Sequence, residues 1–420
     1  MREMKDSGIS WVGEIPKEWS VNRAKYCFVN TKEIAGCMSD RYERLALTMN
    51  GVIKRSKDDS NGLQPEKFET YQILRPDELV FKLIDLQNVS TSRVGLSPYL
   101  GLVSPAYIIL KSNKRVLPAF AEKYFLMLWK NQIFNALGDA GVRSNLNSKD
   151  LLELSIPFPT FDEQQQIADF LDRECGKIDG LKADIQAQID TLEQYKRSVI
   201  TEAVTHGLNP SAPMKDSGAG WMPFIPLHWK ADKLKFHLRQ RGIKNQKDKQ
   251  VFSLYREYGI VPKDSRDDNH NVTSEDVSDY RYVRVGDFVV NKMKAWQGSV
   301  AVSDYEGIVS PAYFVYEFTD DLINKRYFHY LMRNKTYATE FRRLSGGIRE
   351  GQWDLPSEAL NNTIILLPPL DEQQEIADYL DNKCAEIEQI IADKKTQIET
   401  LDGYKKSLIY EYVTGKKEVV

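Results

Sequence analysis

The eleven residues Asp162-Glu-Gln-Gln-Gln-Ile-Ala-Asp-Phe-Leu-Asp172 return 209 positions later as Asp371-Glu-Gln-Gln-Glu-Ile-Ala-Asp-Tyr-Leu-Asp381, identical at nine of eleven positions. Each copy opens a long amphipathic run, and at the same offset apolar residues coincide: Ile167 with Ile376, Leu171 with Leu380, Ile178 with Ile387, Leu181 with Ile390, Ile189 with Ile398, Leu192 with Leu401, Tyr195 with Tyr404 and Val199 with Leu408. Steps of mostly three, four and seven residues put them on one helical stripe. No Pro interrupts either run, and Gly176 and Gly180 correspond to Ala385 and Gln389 in the other copy. The spacing predicts two continuous helices of about 45 residues, roughly 68 Å each at 1.5 Å per residue.

A helix of that length outruns an ordinary domain, so its stripe needs an equally long partner. The chain supplies one. The two are expected to form an antiparallel coiled coil about a pseudo-two-fold, with Ile167, Leu171, Ile178, Leu181, Leu192, Ile376, Leu380, Ile387, Ile390 and Leu401 at the interface. Each stripe would be covered by a near copy of itself.

The repeat reaches beyond the helices. Met4-Lys-Asp-Ser-Gly-Ile-Ser-Trp11, with Ile15-Pro16 before Trp19, returns as Met214-Lys-Asp-Ser-Gly-Ala-Gly-Trp221, with Ile225-Pro226 before Trp229. Asp77 to Lys82 matches Asp287 to Lys292, and Val103-Ser-Pro-Ala-Tyr107 matches Val309-Ser-Pro-Ala-Tyr313. β-rich runs at Glu78 to Leu83, Leu102 to Leu110, Tyr282 to Met293 and Gly307 to Glu317 read as strands, and Ala119 to Ala136 and Asp321 to Leu344 as helices. Segments ending Ile156-Pro-Phe-Pro159 and Leu367-Pro-Pro369 lead into the long helices, with Asp162 and Asp371 as expected caps. The fold class is therefore mixed α/β (α+β), two similar globular domains and two long helices: 1–160, helix 161–208, 209–369, helix 370–416. Because the second opening motif follows the first helix directly, the first should lie near the end of the second helix.

A chain of 420 residues is too long for one core, and 42% apolar residues can fill two or three. No run approaches the roughly 18 apolar residues of a membrane span, and Met1 to Ser7 lacks the apolar centre of a signal peptide, so a cytoplasmic location is expected. Cys27, Cys37, Cys175 and Cys384 form no CxxC pair and read as reduced thiols. The net charge of −3 is unevenly spread. Residues 1–160 hold 22 basic against 18 acidic side chains and 211–369 hold 23 against 20, whereas 161–210 hold 5 against 10 and 370–420 hold 7 against 12. Mildly basic globular parts on acidic helices fit two modules that meet a polyanion on helices that do not.

Catalytic signatures are missing. The sequence has no GxxxxGK[ST], GxGxxG or HExxH and no Cys/His ligand cluster. Its five histidines are scattered, and Leu367-Pro-Pro-Leu370 lacks the flanking residues of an amino-methyltransferase motif and reads as a hinge. Acidic pairs at Asp58-Asp59, Asp267-Asp268 and Asp320-Asp321 read as solvated loop tips rather than metal ligands.

The arrangement resembles the specificity subunit of type I restriction-modification enzymes. The resemblance covers nearly the whole chain: the Lys5-Asp-Ser-Gly opening with Ile15-Pro16 and Trp19, the run Gly307 to Tyr313, and both Glu-Gln-Gln helices ending in Ala203-Val-Thr205 and Tyr412-Val-Thr414. It implies two target-recognition domains, each reading one half of a split, asymmetric sequence in double-stranded DNA, spaced by the coiled coil. It also implies docking of two modification subunits that hold S-adenosylmethionine, and of restriction subunits that use ATP and Mg. The chain itself would carry no cofactor and no catalytic residue.

Base readout needs Arg, Lys, Asn or Gln on ordered loops. The two halves differ most at Leu83 to Arg93 against Met293 to Gly298, so two different half-sites are expected. The candidates are Lys54, Arg55, Lys82, Arg93 and Arg143 in the first half, and Arg256, Lys263, Lys292, Lys294, Gln297 and Arg349 in the second. Ser104-Pro105, Tyr107, Ser310-Pro311 and Tyr313 read as structural. Two rival readings are a scaffold joining two peptide-reading domains and a self-contained DNA methyltransferase, the latter opposed by the missing cofactor motif.

Overall fold

The computed structural model describes residues 2–59, 67–86, 91–137, 145–265, 276–347 and 353–419. Its longest elements are the helices Phe161–His206 (46 residues) and Leu370–Val413 (44 residues). Asp162 and Asp371 do not cap them. Both lie inside the first turn, where a carboxylate favours the positive helix end. Thr160 precedes the first helix instead, its Oγ1 accepting from Glu163 N at 3.4 Å.

The chain divides into two compact units, Met1–Ile185 with Lys395–Val420, and Gln186–Lys394. The cuts fall at Ile185 and Lys394, which are equivalent positions of the repeat, so each unit holds one globular part and half of each long helix.

In the first unit the opening motif is a ribbon, Met4–Asp6 against Glu14–Pro16, and Ser20–Arg23 pairs with Ser155–Phe158, tying the start of the globular part to its end. Between them lie two four-stranded sheets. One runs Gly51–Arg55, Arg44–Thr48, Gly101–Val103, Gln72–Leu74, and the other Phe28–Thr31, Ile108–Ser112, Leu79–Phe81, Val94–Leu96. Helix Pro118–Lys130 sets Phe125 edge-on to Phe81 at 5.0 Å, in a core that also takes Ile167, Leu171 and Ile178 from the first long helix and Leu408, Ile409 and Val413 from the second. Here the helices run antiparallel: Phe170 stacks 4.3 Å from Tyr412, Asp179 accepts from Lys405 at 2.7 Å, and Lys182 pairs with Asp402.

The second unit repeats the plan. Met214–Asp216 pairs with Phe224–Pro226, Lys230–Lys233 with Ile364–Leu367, and a sheet runs Leu238–Arg241, Tyr313–Phe318, Phe288–Asn291, Val300–Val302. Where the first unit has its other four-stranded sheet, this one has two pairs, Phe252–Tyr255 with Gly259–Pro262 and Arg281–Val283 with Gly307–Val309, joined by a bridge from Val251 to Ile308. Its core combines Trp229, Phe288, Tyr316 and Phe328 with Ile376, Ala377 and Leu380 of the second long helix and Ala203 and Val204 of the first. Antiparallel contacts recur as Lys196 with Glu388 and Lys394 with Gln188.

These contacts join non-equivalent residues, since the counterpart of Asp402 in the first helix is Glu193, not Lys182. Each stripe is thus covered by its near copy in antiparallel register, which sets each of these residues against a non-equivalent one. Leu181 (53% exposed) and Ile390 (37%) also lie off the seam. The inward stripe passes through Ile178, Lys182, Ile185 and Ile189, and through Ile387, Ile391 and Lys394, which leaves Leu181 and Ile390 about 100° to the side. The remaining predicted interface residues are buried, or half-buried in the case of Leu192 and Leu401.

The repeated Glu-Gln-Gln is a joint. Trp19 Nε1 donates to Glu163 Oε2 at 2.9 Å, and Trp229 Nε1 to Glu372 Oε1 at 3.0 Å. The buried Gln164 accepts from Leu117 N at 2.7 Å and donates to Pro159 O at 3.1 Å. Gln373 accepts from Asn324 N at 2.8 Å and donates to Pro368 O and Leu322 O at 2.9 and 3.0 Å. Leu117 and Asn324 begin the helices Pro118–Lys130 and Lys325–Arg333, so one amide fixes the globular helix against the long one. The far end of the second long helix closes the first unit. Lys416 Nζ donates to Val12 O and Glu14 O at 2.9 Å, and a Cβ on Gly415 (φ +70°) would lie 2.4 Å from Pro16. The end of the second helix thus sits beside the first opening motif, as expected.

Several predicted elements are split. The run Leu102 to Leu110 becomes Gly101–Val103 and Ile108–Ser112, because Ser104-Pro-Ala makes a turn closed by Tyr107 N to Ser104 O at 3.1 Å. Ser310-Pro-Ala divides Gly307–Val309 from Tyr313–Phe318 in the same way. Tyr282 to Met293 turns at Gly286, φ +85°. The helix predicted over Ala119 to Ala136 breaks after Lys130 at Gln132, φ +59°, and that over Asp321 to Leu344 breaks at Asn334, whose side chain caps the second piece.

Candidate nucleic-acid interface

In the first unit the hairpin of Arg44–Thr48 and Gly51–Arg55 lines a shallow cleft with Arg41, Arg44, Lys54, Arg55 and Lys57 against Asp40 and Glu43. Lys54 is exposed. Its ammonium lies 2.6 Å from Glu43 and over the Tyr99 ring at 5.4 Å, and the hydrogen bond to Glu43 raises its pKa. Arg55 pairs with Asp59 at 2.7 Å. Lys82 is half-buried, donates to Thr91 Oγ1 at 3.2 Å, and is pushed down by burial and by Arg93.

Arg93 overturns its surface assignment. It is 0% exposed and its guanidinium donates to Asp85 O, so it is a buried side chain bonded to the backbone and not an exposed one. A short-range reading of polarity missed this because Arg93 follows a run of small polar residues that looks like exposed loop. Arg143 lies outside the described residues.

In the second unit Lys294 and Gln297 are exposed, Lys294 just before and Gln297 at the end of the 3-10 turn Ala295–Gln297, which Gly298 (φ +89°) terminates. Arg256 projects from the turn between Phe252–Tyr255 and Gly259–Pro262. Arg333 staples that turn by donating to Arg256 O at 2.7 Å and Glu257 O at 3.0 Å. A Cβ on Gly298 would touch Arg256 Cγ at 4.0 Å, so Arg256, Lys294 and Gln297 share one patch. Lys292 is half-buried and bonded to Asp354 at 2.7 Å, and Lys263 is half-buried at the start of the turn Lys263–Ser265. Arg349 lies outside the described residues.

Sequence reasoning passed over Trp296, Trp353 and Arg342, which meet at this patch. The two rings lie 5.7 Å apart, with the Arg342 guanidinium 5.7 and 5.8 Å from them. The signal was present as tryptophans lacking a counterpart in the other half.

Among the described residues no group of three His, Cys, Asp or Glu side chains is placed to hold a metal, and no helix is long and apolar enough to cross a membrane. Asp59 is paired with Arg55, and Asp320 accepts from His237 Nδ1 at 2.8 Å; Asp267 and Asp268 lie outside the described residues. Cys27, Cys175 and Cys384 are buried free thiols whose pKa burial raises, and Cys37 is an exposed one.

The type I restriction modification DNA specificity domain matches this sequence twice, over residues 84–191 and 238–400. The chain belongs to that family. Its relatives include the Methanocaldococcus jannaschii type I restriction enzyme MjaVIII specificity subunit, 25% identical over 76% of this chain and 75% of the relative. The putative MjaX specificity subunit of the same organism is 22% identical over 97% and 96%. A solved chain described under complex assembly and conformational transition of the type I R-M system superposes with a TM-score of 0.68, covering 96% of this chain and 99% of its own at 12% identity, which shows a shared fold. The protein is a type I restriction-modification specificity subunit with two DNA-recognition domains.

Proposed function

We propose that this specificity subunit reads a split, asymmetric DNA target, one half-site with each of the domains 1–160 and 209–369, while the helices 161–208 and 370–416 set the spacing. It would act in the cytoplasm as a non-catalytic subunit, docking two modification subunits that bring S-adenosylmethionine, and restriction subunits that bring ATP and Mg.

The observation that carries this reading is a contrast inside the repeat. The joints are built alike, Trp19 on Glu163 and Trp229 on Glu372, while the loops carrying the basic candidates differ in sequence and contacts. Identical mounts with different tips suit two different half-sites. Exposed apolar residues on the long helices come in equivalent pairs, Leu181 with Ile390 and Tyr195 with Tyr404, which suits one partner docked twice.

The test is a gel-shift and methylation assay on a target defined by sequencing methylated adenines in cells that carry the whole system. Sequence-specific binding and methylation are expected with the modification subunit present. Methyl transfer by this chain alone, or no acquired DNA specificity in the assembly, would refute the reading.

A further inference from the structure

Seven tryptophans occur in the chain. Trp11 and Trp19 correspond to Trp221 and Trp229, and Trp129 is buried in the first core. Trp296 and Trp353 have no counterpart in the other half, yet they come 57 positions apart in sequence to lie 5.7 Å apart in the second unit. Three elements build this contact. The turn Ala295–Gln297 carries Trp296, the helix Lys335–Leu344 carries Arg342, and the segment of Trp353 is held by paired bonds between Gly346 and Asp354 at 3.2 and 3.0 Å and by Leu355 N to Lys292 O at 2.9 Å. Both rings are half-exposed, with Arg342 against them, Lys294 two residues before Trp296, and Arg256 beside Gly298, two residues after it.

The indole N–H of Trp296 is spent on Met293 O at 3.0 Å. The open part of that ring offers an apolar face and edge, and no hydrogen-bond donor. Its natural occupant beside so many cations is an uncharged, polarisable surface on a polyanion, which describes a nucleobase face or a thymine methyl. Two nearby carboxylates pair with cations, Asp354 through Oδ2 with Lys292 and Glu340 with Arg343. The Arg342 guanidinium lies within cation–π reach of both rings, 5.7 Å from the Trp296 centroid and 5.8 Å from that of Trp353.

We propose that Trp296 and Trp353, positioned by Arg342, form a base-contacting platform for the second half-site, flanked by Lys294 at a base edge and by Arg256 at the phosphates. This rests on the reading that the two domains take separate half-sites. The platform predicts discrimination at one or two adjacent base pairs of that half-site through shape and methyl contact.

The experiment uses the full chain assembled with its modification subunits, on target DNA carrying 5-iodouracil in either half-site. Irradiation should crosslink the second half-site to the peptide containing Trp296 or Trp353, and the first half-site to neither. Trp296→Leu and, separately, Trp353→Phe should slow methylation of the wild-type target roughly 5- to 100-fold and relax preference at the crosslinked base pairs, leaving first-half-site discrimination unchanged. A uniform loss on every sequence in both variants, or crosslinks elsewhere in the second domain, overturns the platform. If the wild-type assembly shows no sequence-dependent crosslinking or methylation at all, the domain-wise reading itself falls.

Discussion

A buried primary amide offers one acceptor and two donors, and Gln164 and Gln373 spend theirs at the same rank of the repeat, Gln164 in one acceptor and one donor bond and Gln373 in one acceptor and two donor bonds. Truncation leaves a helix-initiating N–H without its acceptor, so Gln164→Ala should cost about 1–3 kcal/mol by urea unfolding, and Gln373→Ala, which loses one more bond, at least as much. An unchanged midpoint would mean that water replaces the amide. Arg93 and Lys294 make the opposite contrast. Arg93→Ala should lower the unfolding temperature through its empty buried site, affecting all DNA alike. Lys294→Ala should leave stability unchanged and weaken one half-site by about 1–3 kcal/mol, seen as methylation of cognate against half-site-substituted DNA. Residue types alone placed both side chains at the interface. Burial separates them, and burial depends on packing partners that sequence-local polarity does not reveal.

At the scale of elements, periodicity found the long helices to within a few residues because an apolar stripe over 40 positions is a strong signal. It overestimated the globular elements for a physical reason. Ser-Pro-Ala has the same apolar neighbours on either side, and only its turn hydrogen bonds show that the strand has stopped and changed sheet. The antiparallel register was also hidden, since repeat equivalence is a relation of descent while contact is a relation of space. The register yields a test of the spacer role. Four residues inserted near Gln186, matched by four near Thr396, lengthen each helix by about 6 Å between the Lys182–Asp402 and Lys196–Glu388 pairs. The methylated target should gain one or two unspecified base pairs at its centre, read by sequencing methylated DNA. An active assembly with an unchanged spacer rules out the ruler.

For the whole molecule, the cuts at Ile185 and Lys394 mean that 186–211 is the counterpart of 395–420, the segment that completes the first unit. Two copies of residues 1 to about 212 should therefore complete one another. Leu408, Ile409 and Val413 of the first core would be replaced by Val199, Ile200 and Val204. The flanking ion pairs survive as well: Lys182 would meet Glu193 in place of Asp402, and Lys196 would meet Asp179 in place of Glu388. Sedimentation should show a dimer at tens of micromolar, and supplied modification subunits should methylate an interrupted palindrome; a strict monomer or a non-palindromic target contradicts the interchangeability. The duplicated plan, the joints' positions and the helices were all legible in the sequence. The tips were not, because there the two halves differ in sequence and neither serves as a guide to the other. The Trp-to-Glu joint bears on inheritance too. Its residues lie in the stretches of greatest likeness between the halves, so a crossover there exchanges a whole reading head while leaving both ends of its mount intact. A lineage carrying several such genes is expected to acquire new targets by shuffling far more readily than by point mutation.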